Sequence, residues 1–144
     1  MDIRRIDDSL AVSPQIRPED VAELARLGFR TLIANRPEHE EPGQPAMADL
    51  QREAEAHGMK WLYLPVESGH ITDADVDAFA PEFEQAEKPV FAFCRSGTRS
   101  TILWALSTAR YRPLEPIIGQ AAQAGYDLRG LIPRLKQQAA AHQG

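Results

Sequence analysis

Short apolar runs and longer amphipathic stretches take turns along this chain. "SLAVS" (Ser9–Ser13), "FRTLIAN" (Phe29–Asn35), "KWLYLPV" (Lys60–Val66) and "KPVFAFC" (Lys88–Cys94) are brief and rich in apolar residues, and each reads as a strand. Between them, apolar residues recur every three or four positions. "RPEDVAELARLG" predicts a helix with Pro18 in its first turn, Glu19 and Asp20 at the positive end of its dipole, and Gly28 as its cap. "AMADLQREAEAHG" predicts a second, with Met47, Leu50 and Ala54 facing inward and Gly58 ending it. "ITDADVDAFAPEFEQAE" opens on Thr72 as N-cap, carries Asp73 and Asp75 in its first turn, and lines up Val76, Phe79 and Phe83. Pro81 falls inside that stripe and predicts a kink or two short helices. Three more helices are expected in "STILWALSTARY", "LEPIIGQAAQAG" and "LIPRLKQQ".

This alternation implies a single α/β domain over residues 1–144, with a mostly parallel central sheet flanked by helices and a tail from residue 137 expected to fray. A hydrophobic fraction of 43% is enough for a real core, and the prolines are scattered rather than gathered into a linker. The formal charge of −5, with no basic face, argues against nucleic acid or an anionic membrane as partner. "MDIRRIDDSLAVS" lacks the apolar stretch of a secretory signal, and no apolar run is long enough to span a bilayer. One cysteine rules out an internal disulfide and predicts a reduced, cytoplasmic setting. The histidines His39, His57, His70 and His142 have no ligand spacing, so neither metal nor other cofactor is expected. The charged runs "RPEHEE" and "QREAEAH" read as solvated surface.

The lone cysteine sits where a parallel sheet binds ligands, at the carboxyl end of a predicted strand. In "CRSGTRS", successive backbone N–H groups of Arg95, Ser96, Gly97 and Thr98 can point into one concavity, and the dipole of the following helix adds positive potential. Gly97 permits the tight turn, while Arg95 and Arg99 bring guanidinium groups beside it. Such a field favours a thiolate, so Cys94 reads as a nucleophile, with Arg99 binding the anion and Ser100 placed to hydrogen-bond the sulfur. Arg36, at the end of the second predicted strand, either joins Arg99 in binding an anion or pairs with Glu38 or Glu40.

The loop resembles those of two families. Cysteine-dependent phosphatases place five residues between Cys and Arg, whereas rhodanese sulfurtransferases use the four found here. The shorter loop makes a narrower cradle, which suits a persulfide better than a tetrahedral phosphate. After Trp104, however, the helical pattern lacks the strand and Gly-Gly turn that rhodaneses generally carry. "GFRTLIANRPEHEEPGQP", "YLPVESGHIT" and "FCRSGTRS", in that order, resemble the phosphatase-like domain of the beta-lactamase hydrolase-like (Blh) family over about Ile3 to Arg112. This resemblance implies a cysteine-phosphatase-like fold. It also implies a place in sulfur metabolism, because some members are fused to persulfide-dioxygenase-type or sulfide-oxidising enzymes.

The main expectation is therefore a sulfurtransferase on a phosphatase-like scaffold. Cys94 would take sulfane sulfur from thiosulfate or a small persulfide and pass it to a thiol such as glutathione, with a sulfide-oxidation enzyme as a partner. The alternative is a tyrosine or dual-specificity-like phosphatase working through a phosphocysteine. Its leaving group would need an acid, for which "PVESGHITDAD" offers Glu67 and His70 but no clear aspartate. A third reading is an anion-binding module without catalysis.

Overall fold

A computed structural model describes residues 1–143. Five strands form one sheet: β1 (Arg4–Asp7), β2 (Leu10–Ser13), β3 (Thr31–Ala34), β4 (Lys60–Tyr63) and β5 (Val90–Phe93). Their order is β1-β2-β5-β3-β4, with β1 antiparallel to β2 and every other pairing parallel. The strand next to the cysteine is thus the middle one. Both β2 and β3 pair with β5 in register, Leu10 and Thr31 each opposite Val90, Ser13 and Ala34 each opposite Phe93.

Side chains alternate across a strand, so the central one feeds two layers. Phe91 and Phe93 pack with Leu32, Ala34 and Ala11 against helices α1 (Val21–Arg26) and α2 (Met47–Ala56). Val90 and Ala92 face the other way, with Ile33 and Val12. They meet α3 (Asp73–Gln85), α4 (Thr98–Thr108), α5 (Leu114–Gln123) and α6 (Ile132–Gln143). Each side is closed by a large ring, Phe29 edge-on to Phe91 on one and the fully buried Trp104 on the other. Truncating such a ring costs about 3–5 kcal/mol.

β1 was not expected from the sequence. Its residues, Arg-Arg-Ile-Asp, bury only Ile6, because an edge strand needs only one packed face and is protected by charge. Asp7 Oδ1 shapes the turn into β2 by accepting from the Ser9 and Leu10 amides and from the Ser9 hydroxyl.

Of the two outcomes expected at Pro81, a kink or two short helices, α3 rules out the second. The helix is continuous, started by a capping box in which the Thr72 hydroxyl accepts from the Asp75 amide (3.1 Å) and the Asp75 carboxylate from the Thr72 amide (2.9 Å). Phe79 and Phe83 stack at 5.5 Å and, with Ala80, hold both sides of the proline on the core. Tertiary packing thus overrides the local cost of the proline.

After α4 the chain remains helical. In α6, Gln138 is buried and bonds Arg110 and Asp73 from within the stretch expected to fray; residue 144 of that stretch lies outside the described residues. Among the described residues no helix is long and apolar enough to cross a membrane.

Candidate active site

The site begins where β5 stops. Backbone bonds continue beyond the strands, from the Asn35 amide to the Phe93 carbonyl (2.9 Å) and from the Gln15 amide to the Arg95 carbonyl (3.3 Å). They pin the segment after β5 between the ends of β2 and β3. α4 starts at Thr98, so only Cys94–Gly97 lie between strand and helix. The turn is made at Gly97, whose φ of 92° is left-handed. A Cβ there would lie 2.0 Å from the hydroxyl of Tyr126, so glycine is required by close approach as well as by conformation.

Cys94 has no exposed surface, and its Sγ accepts a hydrogen bond from the Gly97 amide at 3.0 Å. This is the amide-to-sulfur contact expected of a loop that stabilises a thiolate. Ser100 does not touch the sulfur as expected. Its hydroxyl donates to Asn35 Oδ1 (2.8 Å), and the Asn35 amide group donates to the Leu64 carbonyl (2.9 Å). Ser100 and Asn35, both fully buried, lock the first turn of α4 to the ends of β3 and β4. Ser96 and Thr98 join hydroxyls at 3.0 Å on the exposed lip of the loop.

Arg99 is 5% exposed, lies beside Cys94 and grips Glu40 in a two-pronged pair, Nη1 to Oε2 at 2.7 Å and Nη2 to Oε1 at 2.8 Å. Its Nη1 also donates to the Val66 carbonyl (2.9 Å). Arg36, 3% exposed, donates from Nε to the same Glu40 (2.7 Å), from Nη2 to Glu41 and from Nη1 to Gln15 (3.0 Å). Arg95 lies 3.2 Å from Glu41. Arg36 thus reaches the cysteine loop through shared carboxylates, and its partners are Glu40 and Glu41 rather than Glu38.

The acidic run is exposed at His39, Glu40 and Glu41, as expected, and it also supplies the counter-charge of the site. The Arg99 fork, with Arg36 behind it, holds the Glu40 carboxyl down to about 2 against an ordinary 4.5, although partial burial works the other way. For Arg99, burial opposes the charge, but Glu40 and Cys94 outweigh it and raise the guanidinium further. The Arg36–Glu40 pair is one of the alternatives expected from the sequence, but the pairing of Glu40 with Arg99 is not, because the two lie 59 residues apart. A conformational clue was present in the loop's three prolines, which fix a chain that must return over the site.

A cleft of about 330 Å³ opens beside the loop. Arg95, Arg99 and Arg134 supply cationic groups to its wall, and Ile71, Ile102 and Leu131 an apolar face, with Ser68, Gly69, Ser96 and Thr98 between them. Neither Glu67 nor His70 is among the residues that line it. Both are exposed on the turn closed by the His70 amide and the Glu67 carbonyl. The arrangement can take an anion with an apolar body. Because Glu40 occupies the Arg99 fork, an anion bound there must compete with that carboxylate.

The family model for the phosphatase-like domain of beta-lactamase hydrolase-like protein matches residues 2–111. The chain belongs to that family.

The beta-lactamase hydrolase-like protein of Agrobacterium fabrum is 40% identical over 105 residues, covering 73% of this chain and 24% of that protein. Its counterpart in Xylella fastidiosa (strain Temecula1) is 36% identical over 143 residues, 96% of this chain and 33% of the relative. The chain therefore spans a quarter to a third of the curated relatives it matches. A crystal structure of a candidate phosphatase from Neisseria meningitidis superposes with a TM-score of 0.83 at 37% identity, covering 96% of this chain and 99% of that one. More distant phosphatase structures, at 17–19% identity and TM-scores of 0.65–0.72, share the fold. The Blh family and the cysteine-phosphatase-like scaffold are those the sequence implied.

Proposed function

We propose that this domain is a cysteine-dependent phosphatase acting on phosphate monoesters with an apolar, preferably aryl, body. The observation that carries this reading is the Gly97 amide donating to Cys94 Sγ at the floor of a loop flanked by an arginine-lined cleft. Relatives described as phosphatases favour it over sulfur transfer.

In the first step the Cys94 thiolate attacks phosphorus, an S–P bond forms, and the bond from phosphorus to the leaving oxygen breaks. The electron pair stays on that oxygen, and a phenolate needs no acid stronger than water to depart. Arg99 turns from Glu40 to the phosphoryl oxygens, and the apolar wall formed by Ile71, Ile102 and Leu131 takes the ring. Water then attacks phosphorus, the S–P bond breaks with its electrons returning to sulfur, and inorganic phosphate leaves.

Two observations favour a second reading, sulfane-sulfur transfer. Only four residues separate Cys94 from Arg99, and no carboxylate lines the cleft. Here the thiolate attacks the outer sulfur of thiosulfate, the S–S bond breaks, sulfite departs with the electron pair, and a thiol such as glutathione later removes the sulfur.

One experiment separates them. Wild type and Cys94→Ser are given an aryl phosphate, with phenol release followed, and separately thiosulfate, with intact mass followed. Cys94-dependent phenol release without a mass gain supports the phosphatase. A gain of one sulfur on wild type alone, without phenol release, overturns it in favour of transfer. Neither outcome in the presence of bound vanadate would make the domain an anion-binding module.

A further inference from the structure

The amide that touches the nucleophile is itself held from behind. Ser96 C=O and Gly97 N–H belong to one planar peptide unit, and in a trans peptide the two groups point in opposite directions. The Gly97 N–H donates to Cys94 Sγ at 3.0 Å, while the Ser96 carbonyl accepts from the Tyr126 hydroxyl at 3.0 Å. Phenol, peptide and sulfur thus form one hydrogen-bonded row. Donation to the carbonyl draws electron density toward its oxygen and makes the N–H at the other end a stronger donor.

Tyr126 is well fixed for this task. Only 9% exposed, it sits against the bare Cα of Gly97, and its amide donates to the Ala121 carbonyl at 2.8 Å, which ends α5. Arg4 lies 5.5 Å from the ring centroid and donates to the Ala124 carbonyl at 2.9 Å. Gly125 makes room for that guanidinium, which lies 2.2 Å from where a Cβ would stand. Burial pushes the pKa of the Tyr126 phenol up, so that it ionises less readily; Arg4 works against this, and Cys94 and Asp2 add to it. The hydroxyl therefore remains a donor at neutral pH. Tyr126 lies beyond residues 2–111, the part of the chain that carries the family match.

We propose that Tyr126 is a positioning residue for the nucleophile: by holding the Ser96 carbonyl, its hydroxyl orients and polarises the peptide whose N–H stabilises the Cys94 thiolate. The proposal rests on Cys94 being a nucleophile but not on whether it attacks phosphorus or sulfur. The charged and titratable groups around the thiol are Arg95 and Arg99, with Glu40, Glu41 and Arg36 behind them, and Tyr126 backed by Arg4 and Asp2. Replacing Tyr126 by Phe removes one hydroxyl and leaves every charge in that set.

The test follows the ultraviolet absorbance of the thiolate against pH, corrected in each background by the matching Cys94→Ser protein. Circular dichroism and the thermal midpoint check folding. Tyr126→Phe is expected to move the thiolate midpoint up by about half a pH unit, the scale of one polarised hydrogen bond. Arg4→Lys, which keeps the charge and the phenol but loses the guanidinium against the ring, moves it less in the same direction and supplies the readout if Tyr126→Phe is unstable. Unchanged midpoints overturn the proposal. A wild-type midpoint no lower than that of a free thiol overturns the nucleophile reading instead, so the two failures are distinguishable.

Discussion

Two loops leave neighbouring parallel strands at the same end of the sheet. The one after β5 is four residues long, and its chemistry lies in its own backbone: an amide aimed at sulfur and a glycine that makes the turn. The one after β3 runs from Asn35 to Ala46 and contributes side chains that act at a distance, Asn35 on Ser100 and Glu40 on Arg99. On the proposed reading the short loop carries the reacting atom; the long one sets where Arg99 and the start of α4 sit. The proposed nucleophile thus depends on side chains from a separate loop.

Substitutions in the two loops should therefore fail differently. The largest effect is expected for Cys94→Ser, which should lower turnover of whichever substrate proves active by at least about a thousandfold, with the fold intact. Retained turnover would remove Cys94 from the mechanism. Next is Gly97→Ala, which meets both the left-handed φ and the Tyr126 hydroxyl and should cost about 3 kcal/mol in urea unfolding. A loss below about 1 kcal/mol would mean that the loop relaxes easily.

In the long loop, Asn35→Ala removes the acceptor of the Ser100 hydroxyl and the donor to Leu64, and should cost about 2 kcal/mol. Glu40→Gln should cost about 1 kcal/mol near neutrality after solvent screening, since the Glu40 side chain is 23% exposed. Because its carboxyl is held at about 2 against an ordinary 4.5, this contribution is complete above the higher value and lost as pH falls toward the lower. Unfolding curves of wild type and Glu40→Gln should thus converge in acid; a constant gap would place the effect in packing rather than charge. Smallest of all, Glu67→Gln and His70→Asn should each change the aryl phosphate rate less than about twofold. Loss of one limb of the pH–rate profile in either would restore that residue as the general acid.

Legibility in the sequence followed the same division. The four inner and far-edge strands were readable because they are apolar runs, and the cysteine loop because its groups are contiguous. β1 was not, since a strand with Arg4 and Arg5 on an edge has the composition of a surface segment. The roles of Asn35 and Tyr126, and the pairing of Glu40 with Arg99, were not, because each meets the loop or its helix from 30 to 65 residues away. Ser100 was placed near the nucleophile on spacing alone, yet an asparagine elsewhere in the fold captures its hydroxyl. Between phosphorus and sulfur, loop length points the sequence reading to sulfur, whereas the similar proteins back its phosphatase alternative better: loop length counts the amides of a cradle but does not say which atom enters it.

The central place of β5 has a consequence for the order in which the molecule comes apart. A strand bonded on both sides opens only when the sheet does, so the amides of Phe91–Phe93 should be among the slowest to exchange with deuterium, and the stem of Cys94 with them. The segment from Arg36 to Ala46, outside the ladder, should exchange early. On warming, Arg99 would then lose its carboxylate partner while the sulfur still had its strand beneath it.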